Sequence, residues 1–300
     1  MIAFDTPWTE ADTRITQSVR LGEITVSLRS DLDEVAADFS GLYRGSPPGE
    51  QAEAGTIRMD VRRVRGSIPL GRRYGVFGDG RQMGKPLRRD EVLPQLEWAI
   101  NSRVISTRTD FLQLRAAGMV RDGVGVILAG GSGSGKSTLA AALLARGWRY
   151  GSDDLILIDP ATGFMHPFPK AICVRSGAFD IIERLALPTT GGRYHVKGVR
   201  GRVGYINPHD VAPDRVAKPG PVRFVVFPNY VRGTPSNLFA MPQARAVYGL
   251  VSVTLNRAAF TDHGVSILSA FSAGAECLGL DAGEIEESCD LLDAMVDGGG

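Results

Sequence analysis

A glycine-rich stretch between an apolar run and an Ala/Leu-rich segment constrains the fold of this chain most strongly. Residues 124–129 form the apolar run, and the Ala/Leu-rich segment has helical periodicity. The stretch between them consists of Gly130, Gly131, Ser132, Gly133, Ser134, Gly135, Lys136, Ser137 and Thr138. It satisfies the phosphate-loop spacing G-x-x-x-x-G-K-[ST]. We therefore expect a strand, a phosphate-binding loop and a helix in this order.

Each residue type in this loop has a physical reason. Glycines let consecutive backbone N–H groups turn toward phosphate oxygens, and the following helix points the positive end of its dipole at the same place. Lys136 would reach the β- and γ-phosphates, and the hydroxyl of Ser137 would ligate Mg²⁺. A Gly/Ser linker is the alternative, but the strand before and the helix after favour a site for a nucleoside triphosphate.

Composition excludes several classes of protein. The chain has 300 residues, of which 43% are hydrophobic and 22% are charged, and its formal net charge is +1. No apolar run approaches the roughly 18 residues of a membrane span, and the charge argues against a general nucleic-acid binder. The three cysteines lack C-x-x-C spacing and predict free thiols, and the four histidines are too scattered for a metal cluster. Because the first residues lack the pattern of a secretory signal, we expect a cytoplasmic protein.

Periodicity predicts an α/β chain with a boundary near residue 106. The N-terminal α+β module, residues 1–106, should contain a strand at 21–30, a helix at 32–43 capped by Ser30 or Asp31, strands at 56–64, 72–77 and 81–87, and a helix at 91–102. The second domain, residues 107–300, should contain the phosphate loop, a buried strand at 155–158, and helices at 177–187, 244–255, 264–272 and 284–296. Residues 189–204 show weak periodicity and are predicted to form mobile loops.

Charge is unevenly distributed. Residues 56–89 carry ten Lys and Arg against two Asp, a net charge of +8. Such a stretch is usually a solvated face, although it could dock an acidic peptide or a neighbouring subunit. Residues 276–297 contain eight carboxylates, and no basic residue follows Arg257, so the sequence offers them no local counter-charge.

The residues after the loop carry a resemblance to a known family. Lys136-Ser137 is followed by Arg146-Gly147 and then by the pair Asp153-Asp154. This order and spacing resemble HPr kinase/phosphorylase, a bacterial serine kinase related in fold to phosphoenolpyruvate carboxykinase. A wider resemblance, to an HPr-kinase-related branch that includes tailoring kinases of ribosomally made peptides, covers segments at 96–101, 147–154, 167–170, 197–198 and 226–228 and the region around Asn256. The resemblance implies a phosphate-loop core of this type behind a smaller N-terminal module.

The resemblance also implies roles for individual residues. Asp153 would accept the proton of the substrate hydroxyl, and Asp154 would hold Mg²⁺ together with Ser137. Lys170 and Lys197 would contact substrate or phosphate. The alternatives are a helix cap or solvated turn for the acidic pair, and ordinary solvated side chains for the two lysines.

One departure from the family concerns Arg115. The family has a histidine 21 residues before the loop lysine, and counting back from Lys136 gives Arg115. An arginine stays protonated, and close to Asp153 it would favour the ionised carboxylate. Since an ionised carboxylate is a poor acid, Arg115 predicts a kinase with little reverse phosphorolysis. A strand alternates its faces, so the alternative is that Arg115 points into solvent.

Three functions remain open at this point. The leading hypothesis is an ATP- and Mg²⁺-dependent kinase that phosphorylates a serine or similar hydroxyl of a protein or peptide. The alternatives are a small-molecule kinase and a non-catalytic, nucleotide-switched regulatory protein. The acceptor is not identified, a homo-oligomer is one alternative for the assembly, and we expect no nucleic-acid or membrane partner.

The loop lysine gives the first testable prediction. Lys136→Ala should abolish phosphoryl transfer and weaken ATP binding without unfolding the protein, because the side chain points at phosphates. Transfer assays, ATP titration and circular dichroism measure the three effects. Unchanged transfer would contradict the assignment of a phosphate loop.

Overall fold

A computed structural model describes residues 15–50, 54–64, 71–260 and 263–298, which form a mixed α/β fold. The strands are β1 Ile15–Leu21, β2 Ile24–Ser30, β3 Ile57–Val64, β4 Arg73–Gly78, β5 Arg81–Gln82, β6 Leu112–Leu114, β7 Ala116–Arg121, β8 Val124–Ala129, β9 Arg149–Ser152, β10 Ile156–Ile158, β11 Met165–His166, β12 Ile172–Arg175, β13 His195–Val196, β14 Arg202–Ile206, β15 Val222–Tyr230, β16 Asn237–Ala240 and β17 Glu276–Ala282. The helices are α1 Asp33–Leu42, α2 Arg89–Thr107, α3 Lys136–Ala145, α4 Phe179–Arg184, α5 Pro208–Val211, α6 Gln243–Val253, α7 Gly264–Ala273 and α8 Ile285–Gly298.

The N-terminal sheet has the strand order β1-β2-β3-β4-β5. The expectation of one strand over residues 21–30 is wrong, because β1 and β2 form an antiparallel hairpin in which Leu21 pairs with Ile24. The chain reverses at Gly22, whose φ of 62° lies in the left-handed region. The predicted side-chain cap of α1 is also absent: Leu32 occupies the cap position, and Ser30 Oγ instead accepts the Leu32 N–H at 3.1 Å.

The central sheet has the order β16-β17-β15-β8-β7-β9 and positions the site. Strand β8 is parallel to β15, and β15 is parallel to β17. Strand β7 is antiparallel to both β8 and β9, so β9 runs in the same direction as β8. The carboxyl ends of β8, β9, β15 and β17 and the beginning of β7 therefore lie at one edge, where ligands bind in sheets of this kind.

Apolar side chains cover both faces of the central sheet. On one face, residues of α3 and α8 such as Leu143 and Leu292 are buried against the strands, and on the other face Leu250 of α6 and Leu268 of α7 are buried. A further cluster joins the N-terminal sheet, α1 and α2 to residues 155–205, including Phe168. This core crosses the predicted boundary near residue 106, which falls at the end of α2.

The segment between α3 and β15 contains more regular structure than its sequence predicts. Strand β12 pairs with β14, and β14 pairs with β13, which lies inside the stretch predicted as mobile loops. Helix α4 spans six residues, fewer than the predicted helix at 177–187. Pairing with β14, rather than local periodicity, determines the short strands β12 and β13.

The carboxylates of α8 have counter-charges that the sequence does not reveal. Arg146 at the end of α3 bonds Asp290 and Asp293, and Arg121 at the end of β7 also bonds Asp293. Arg184 pairs with Glu286 at 3.2 Å. These arginines precede α8 by about a hundred residues or more, so only the folded chain brings them to it. The acidic segment is therefore part of the interface that α8 forms with α3, α4 and the end of β7.

The basic stretch at 56–89 lies on the N-terminal sheet and at the start of α2, and residues 65–70, including Arg65, lie outside the described residues. Arg89 bonds both Glu34 and Asp38 of α1. Arg62 lies over the ring of Phe77 at 4.3 Å. Arg62 and Arg89 therefore make contacts within the N-terminal module. Within the described residues, no helix has the length and apolar character that crossing a membrane requires.

The close approach at Gly22 gives a stability prediction. A Cβ on Gly22 would overlap the carbonyl oxygen of Pro167, in the loop that leads to Lys170, whereas a Cβ on Gly80 would meet no atom within 4 Å. Both glycines have positive φ, at 62° and 77°. Gly80→Ala should cost about 1 kcal/mol of backbone strain, and Gly22→Ala should cost roughly 1–3 kcal/mol more through overlap.

Urea unfolding of the two variants measures the difference. The Gly80→Ala variant is the matched control, since it carries the same substitution in a turn with free space. Equal unfolding midpoints for the two variants would contradict the packing of the β1–β2 turn against Pro167.

Candidate active site

The predicted phosphate loop follows β8 and leads directly into α3. Gly133 and Gly135 have φ values of 94° and 95°, a conformation that side chains with a Cβ strongly disfavour. Gly135 is the N-cap of α3, whose first residue is Lys136. The loop thus turns at the N-terminus of the helix, where unpaired N–H groups and the helix dipole favour an anion.

Lys136 folds back over its own loop. Its Nζ donates a hydrogen bond to the carbonyl oxygen of Gly131 at 2.7 Å and lies 3.4 Å from Ser134 Oγ. The side chain is buried, and burial lowers its pKa, while the nearby Asp153 and Asp154 act in the opposite direction. The ammonium is therefore held among the loop backbone and two carboxylates, where it can meet a phosphate.

The structure brings Ser137 and Asp153 together. Ser137 Oγ donates to Asp153 Oδ1 at 3.0 Å, and the backbone N–H of Cys173 donates to Asp153 Oδ2 at 3.3 Å. Asp153 is only 1% exposed. It is therefore neither a solvated turn nor a surface cap. Burial and then the neighbouring Asp154 raise its pKa, while Lys170, Ser137 and Lys136 lower it.

Arg115 lies at this edge but faces Asp154. Its Nε is 3.9 Å from Asp154 Oδ1, and both side chains are roughly half exposed, so Arg115 is not turned away from the site. The expected lowering of the pKa of Asp153 is not the net effect: Arg115 contacts Asp154, and burial and Asp154 raise the pKa of Asp153. The argument from Arg115 against a reverse reaction thereby loses its physical basis. The reason is register: β7 begins between the ends of β8 and β9, and the chain turns at Asp154.

Lys170 is not an ordinary solvated lysine. It is buried and pairs with the buried Glu97 of α2 at 3.2 Å, with each side chain 4% exposed. The hydroxyl of Tyr43 donates to the other oxygen of Glu97. Burial lowers the pKa of Lys170, but Glu97, Asp154 and Asp153 together raise it above its usual value. The pair thus links the N-terminal module to the acidic pair.

Lys197 and Arg175 complete the cationic lining. Lys197 Nζ lies 3.6 Å from Sγ of Cys173, and Arg175 Nη2 donates to the hydroxyl of Ser132 in the phosphate loop. Burial raises the pKa of the Cys173 thiol, although Lys197 acts in the opposite direction. Lys197 therefore lines the cavity from the loop between β13 and β14.

These side chains line one cavity of about 370 Å³, a size typical of small-molecule sites. Its phosphate end is formed by the loop, Thr138 and Arg175. Glu97, Trp98 and Asn101 of α2 line another part of its wall. Further lining comes from the ends of β15 and β17, at Tyr230 and Ala282. The sheet edge thus carries a single recess that combines the loop, the acidic pair and part of the N-terminal module.

The residues present fit a magnesium ion bound together with phosphate. Mg²⁺ is usually held by one or two carboxylates, the oxygens of a phosphate substrate and water. Ser137 and Asp153 supply a hydroxyl and a carboxylate 3.0 Å apart, and Asp154 is the next residue. No group of three or more His, Cys, Asp or Glu side chains with the geometry of a metal site occurs in the described parts of the chain.

Comparisons with known proteins give distant similarity to solved structures. No protein-family model matches this chain, and no curated protein matches it. Among solved structures, the chain is similar to the HPr(Ser) kinase/phosphatase from Coxiella burnetii, with 15% sequence identity and a TM-score of 0.31. The match covers 62% of this chain and 88% of that chain. A similarity at this level carries no argument about activity or substrate, which have to be inferred from the residues of the site.

Sequence reasoning missed several residues that line the cavity. It treated Glu97 and Trp98 only as part of a weakly similar segment, and it did not single out Arg175 or Tyr230 for the site. The one sequence signal for Glu97 was a charged residue in an otherwise apolar stretch, and the structure shows that α2 buries it. Nothing in the local sequence distinguishes Tyr230 from a tyrosine at the end of any strand.

The Glu97–Lys170 pair gives a prediction with an internal control. Glu97→Gln leaves the buried ammonium of Lys170 without its counter-charge, which should cost about 3 kcal/mol of unfolding free energy. Glu286→Gln is the matched control, because the Arg184–Glu286 pair has the same 3.2 Å separation but its side chains are 53% and 48% exposed. It should cost less than about 1 kcal/mol.

Denaturant unfolding of the two variants gives both values. The double variant Glu97→Gln/Lys170→Met should recover much of the loss, since it removes the unpaired charge. Similar losses for Glu97→Gln and Glu286→Gln would show that the Lys170 charge is not buried in solution.

Proposed function

We propose that this protein is a kinase that transfers the γ-phosphoryl group of ATP to a serine or similar hydroxyl of a protein or peptide, with Mg²⁺. The observation that carries the proposal is the hydrogen bond between Ser137 and the buried Asp153 beneath the phosphate loop. A loop at a helix N-terminus is common to many anion sites, but a buried carboxylate bonded to its Ser hydroxyl provides the oxygen ligands of a metal–nucleotide complex.

Residues 130–138 would hold the phosphates of ATP. The backbone N–H groups of the loop and Lys136 supply donors, and Arg175 is within reach because it already bonds Ser132. Phosphoryl transfer needs mainly charge neutralisation and an aligned nucleophile. Mg²⁺, when bound, neutralises charge on the phosphate oxygens. The side chains then have to position the acceptor hydroxyl and take its proton.

The geometry favours an exchange of roles within the acidic pair. The sequence-based assignment made Asp153 the base and gave Mg²⁺ to Asp154 and Ser137. Both aspartates line the cavity, but Ser137 bonds the buried Asp153, whereas the side chain of Asp154 is half exposed. We therefore assign Asp153 with Ser137 to the metal and Asp154 to the acceptor hydroxyl, whose proton it would accept. Asp154 has a φ of 65°, in the left-handed region, so the chain departs from the direction of β9 at this residue.

A peptide acceptor is supported by an aromatic side chain in the wall of the cavity. Trp98 lines the cavity and is 50% exposed, so its ring offers a ligand an aromatic surface with a polar N–H. The resemblance of the sequence to kinases that tailor ribosomally made peptides agrees with this. A small-molecule kinase and a nucleotide-binding regulator are the outcomes that the experiment has to distinguish.

The experiment combines intact-mass analysis with the two aspartates. Purified protein is incubated with Mg·ATP and serine-containing peptides, and the product gains the mass of one phosphoryl group. Asp153→Asn should weaken nucleotide affinity and raise the Mg²⁺ concentration needed, because it removes a metal ligand. Asp154→Asn should bind Mg·ATP normally but lose transfer by about two orders of magnitude or more, because an amide cannot accept the proton.

Two results would contradict these assignments. If Asp154→Asn weakens Mg·ATP binding while Asp153→Asn keeps it and loses transfer, the original division of roles is right. If the wild-type protein binds ATP tightly and transfers phosphate neither to peptides nor to metabolites, the protein is a nucleotide-switched regulator.

A further inference from the structure

We propose that helix α2 forms the acceptor-binding wall of this cavity, and that the acceptor is a peptide segment with a carboxylate next to the hydroxyl that is phosphorylated. This inference rests on the proposed kinase function. It adds where the acceptor binds, which module supplies that surface and which chemical group of the acceptor is recognised.

The strand order separates the cavity into two sides. Strands β15 and β17 lie on one side of β8 and contribute Tyr230 and Ala282 to the lining. Strands β7 and β9 lie on the other side, and there Arg115 and Asp154 lie at the edge. The phosphate loop follows β8, between the two sides. A nucleotide with its phosphates in the loop thus has one side for its base and the other for the acceptor.

The nucleoside side is recognisable by its apolar lining. Tyr230 lies against the loop, since a Cβ on Gly135 would be 3.7 Å from Tyr230 Cβ. Ile181 of α4 and Ile285 of α8 also line the cavity. An aromatic ring and aliphatic side chains beside a phosphate loop suit a nucleobase. This leaves the side of Asp154 for the hydroxyl.

Helix α2 presents a rigid surface on this second side. Leu96, Ile100 and Val104 are buried in the core that joins the two parts of the chain, and Glu97 is fixed by Lys170 and Tyr43. The ring of Trp98 is held by this anchored backbone while half of its surface stays exposed in the cavity. A rigid exposed aromatic gives contact area at a low entropy cost.

Asn101 adds a polar group one turn further along α2. Its side chain lines the cavity, and its Oδ1 has no hydrogen-bond partner among the described residues. An unpaired buried acceptor costs about 1–3 kcal/mol, which a ligand donor removes. A peptide in extended conformation carries backbone N–H and C=O groups that satisfy a carboxamide in either orientation. Trp98 and Asn101 together therefore suit a peptide rather than a small polar metabolite.

The charge of the acceptor follows from the cations that line the cavity. Lys136 and Arg175 bond the phosphate loop, Lys170 is paired with Glu97, and Lys197 contacts Cys173. Arg115 is the cation on the acceptor side, and its contact with Asp154 is long, at 3.9 Å. A guanidinium can bind two oxygens at once, so it can hold an acceptor carboxylate while Asp154 takes the hydroxyl proton. An Asp or Glu next to the phosphorylated serine meets this requirement.

The test uses three sets of synthetic peptides with one central serine. The two residues that flank the serine are fixed as Glu, Ala or Lys, and the other positions are randomised. Transfer from radiolabelled ATP is measured for each set, and ATP binding is measured separately. The wild-type protein should label the Glu set fastest. Arg115→Gln should remove this preference, and Arg115→Glu should shift it toward the Lys set, whatever its overall rate.

Trp98→Ala tests the wall itself. It should raise the KM for the Glu set by about tenfold and leave the Kd of Mg·ATP unchanged, because the ring lies on the acceptor side. Tyr248→Ala and Arg245→Glu are the matched controls: both residues are exposed on α6 and do not line the cavity, and Tyr248 is 76% exposed. Neither control should change the KM or the preference between sets.

The outcomes distinguish this inference from the proposed function. If peptides are phosphorylated but Trp98→Ala and the Arg115 variants keep the wild-type KM and preference, the acceptor does not bind α2. If the wild-type protein prefers the Lys set, the recognition of a carboxylate is wrong. If no peptide is phosphorylated while a metabolite is, the peptide-kinase function fails, and this inference fails with it.

Discussion

The buried carboxylate of Asp153 is the group on which the candidate site depends. A carboxylate taken out of water needs hydrogen bonds and a nearby positive charge, or it becomes protonated. Here Ser137 and the backbone of Cys173 supply the hydrogen bonds, and Lys170 and Lys136 supply the charge. Lys170 is in turn held by Glu97. The candidate site therefore depends on Glu97, on a helix of the N-terminal module and 73 residues before Lys170 in the sequence.

The sequence predicted the parts of this arrangement that are local. The turn from β8 into α3 could be predicted because the spacing of the phosphate-loop motif is fixed over eight residues. Most helices were predicted to within a few residues of their observed ends, because their apolar residues recur with helical periodicity. The β1–β2 hairpin was missed because its turn has only two residues, and its alternating pattern continues through the turn.

What could not be predicted depends on contacts between distant segments. The sequence places Asp153-Asp154 near the loop, but only the register of β9 on β7 decides which carboxylate meets Ser137 and which meets Arg115. Likewise, the acidic segment at residues 276–297 has no local counter-charge. Two of the arginines that pair with it, Arg121 and Arg146, lie at the ends of β7 and α3. Local sequence does not encode either pairing, because each requires the sheet to form first.

In the proposed function, the chemistry belongs to the central sheet, and recognition is divided between α2 and Arg115 at the sheet edge. The loop, Asp153 and Asp154 belong to the central sheet, whose strand ends fix them relative to one another. In the proposed function, the acceptor wall belongs to α2, which packs on the N-terminal sheet and reaches the cavity through Glu97, Trp98 and Asn101. Side chains on the exposed part of this wall can change without disturbing the Ser137–Asp153 contact. Glu97 cannot change in this way, because its carboxylate stabilises the buried Lys170 beside the acidic pair. Acceptor preference is thus free to vary at Trp98 and Asn101, whereas Glu97 is constrained by both folding and charge balance.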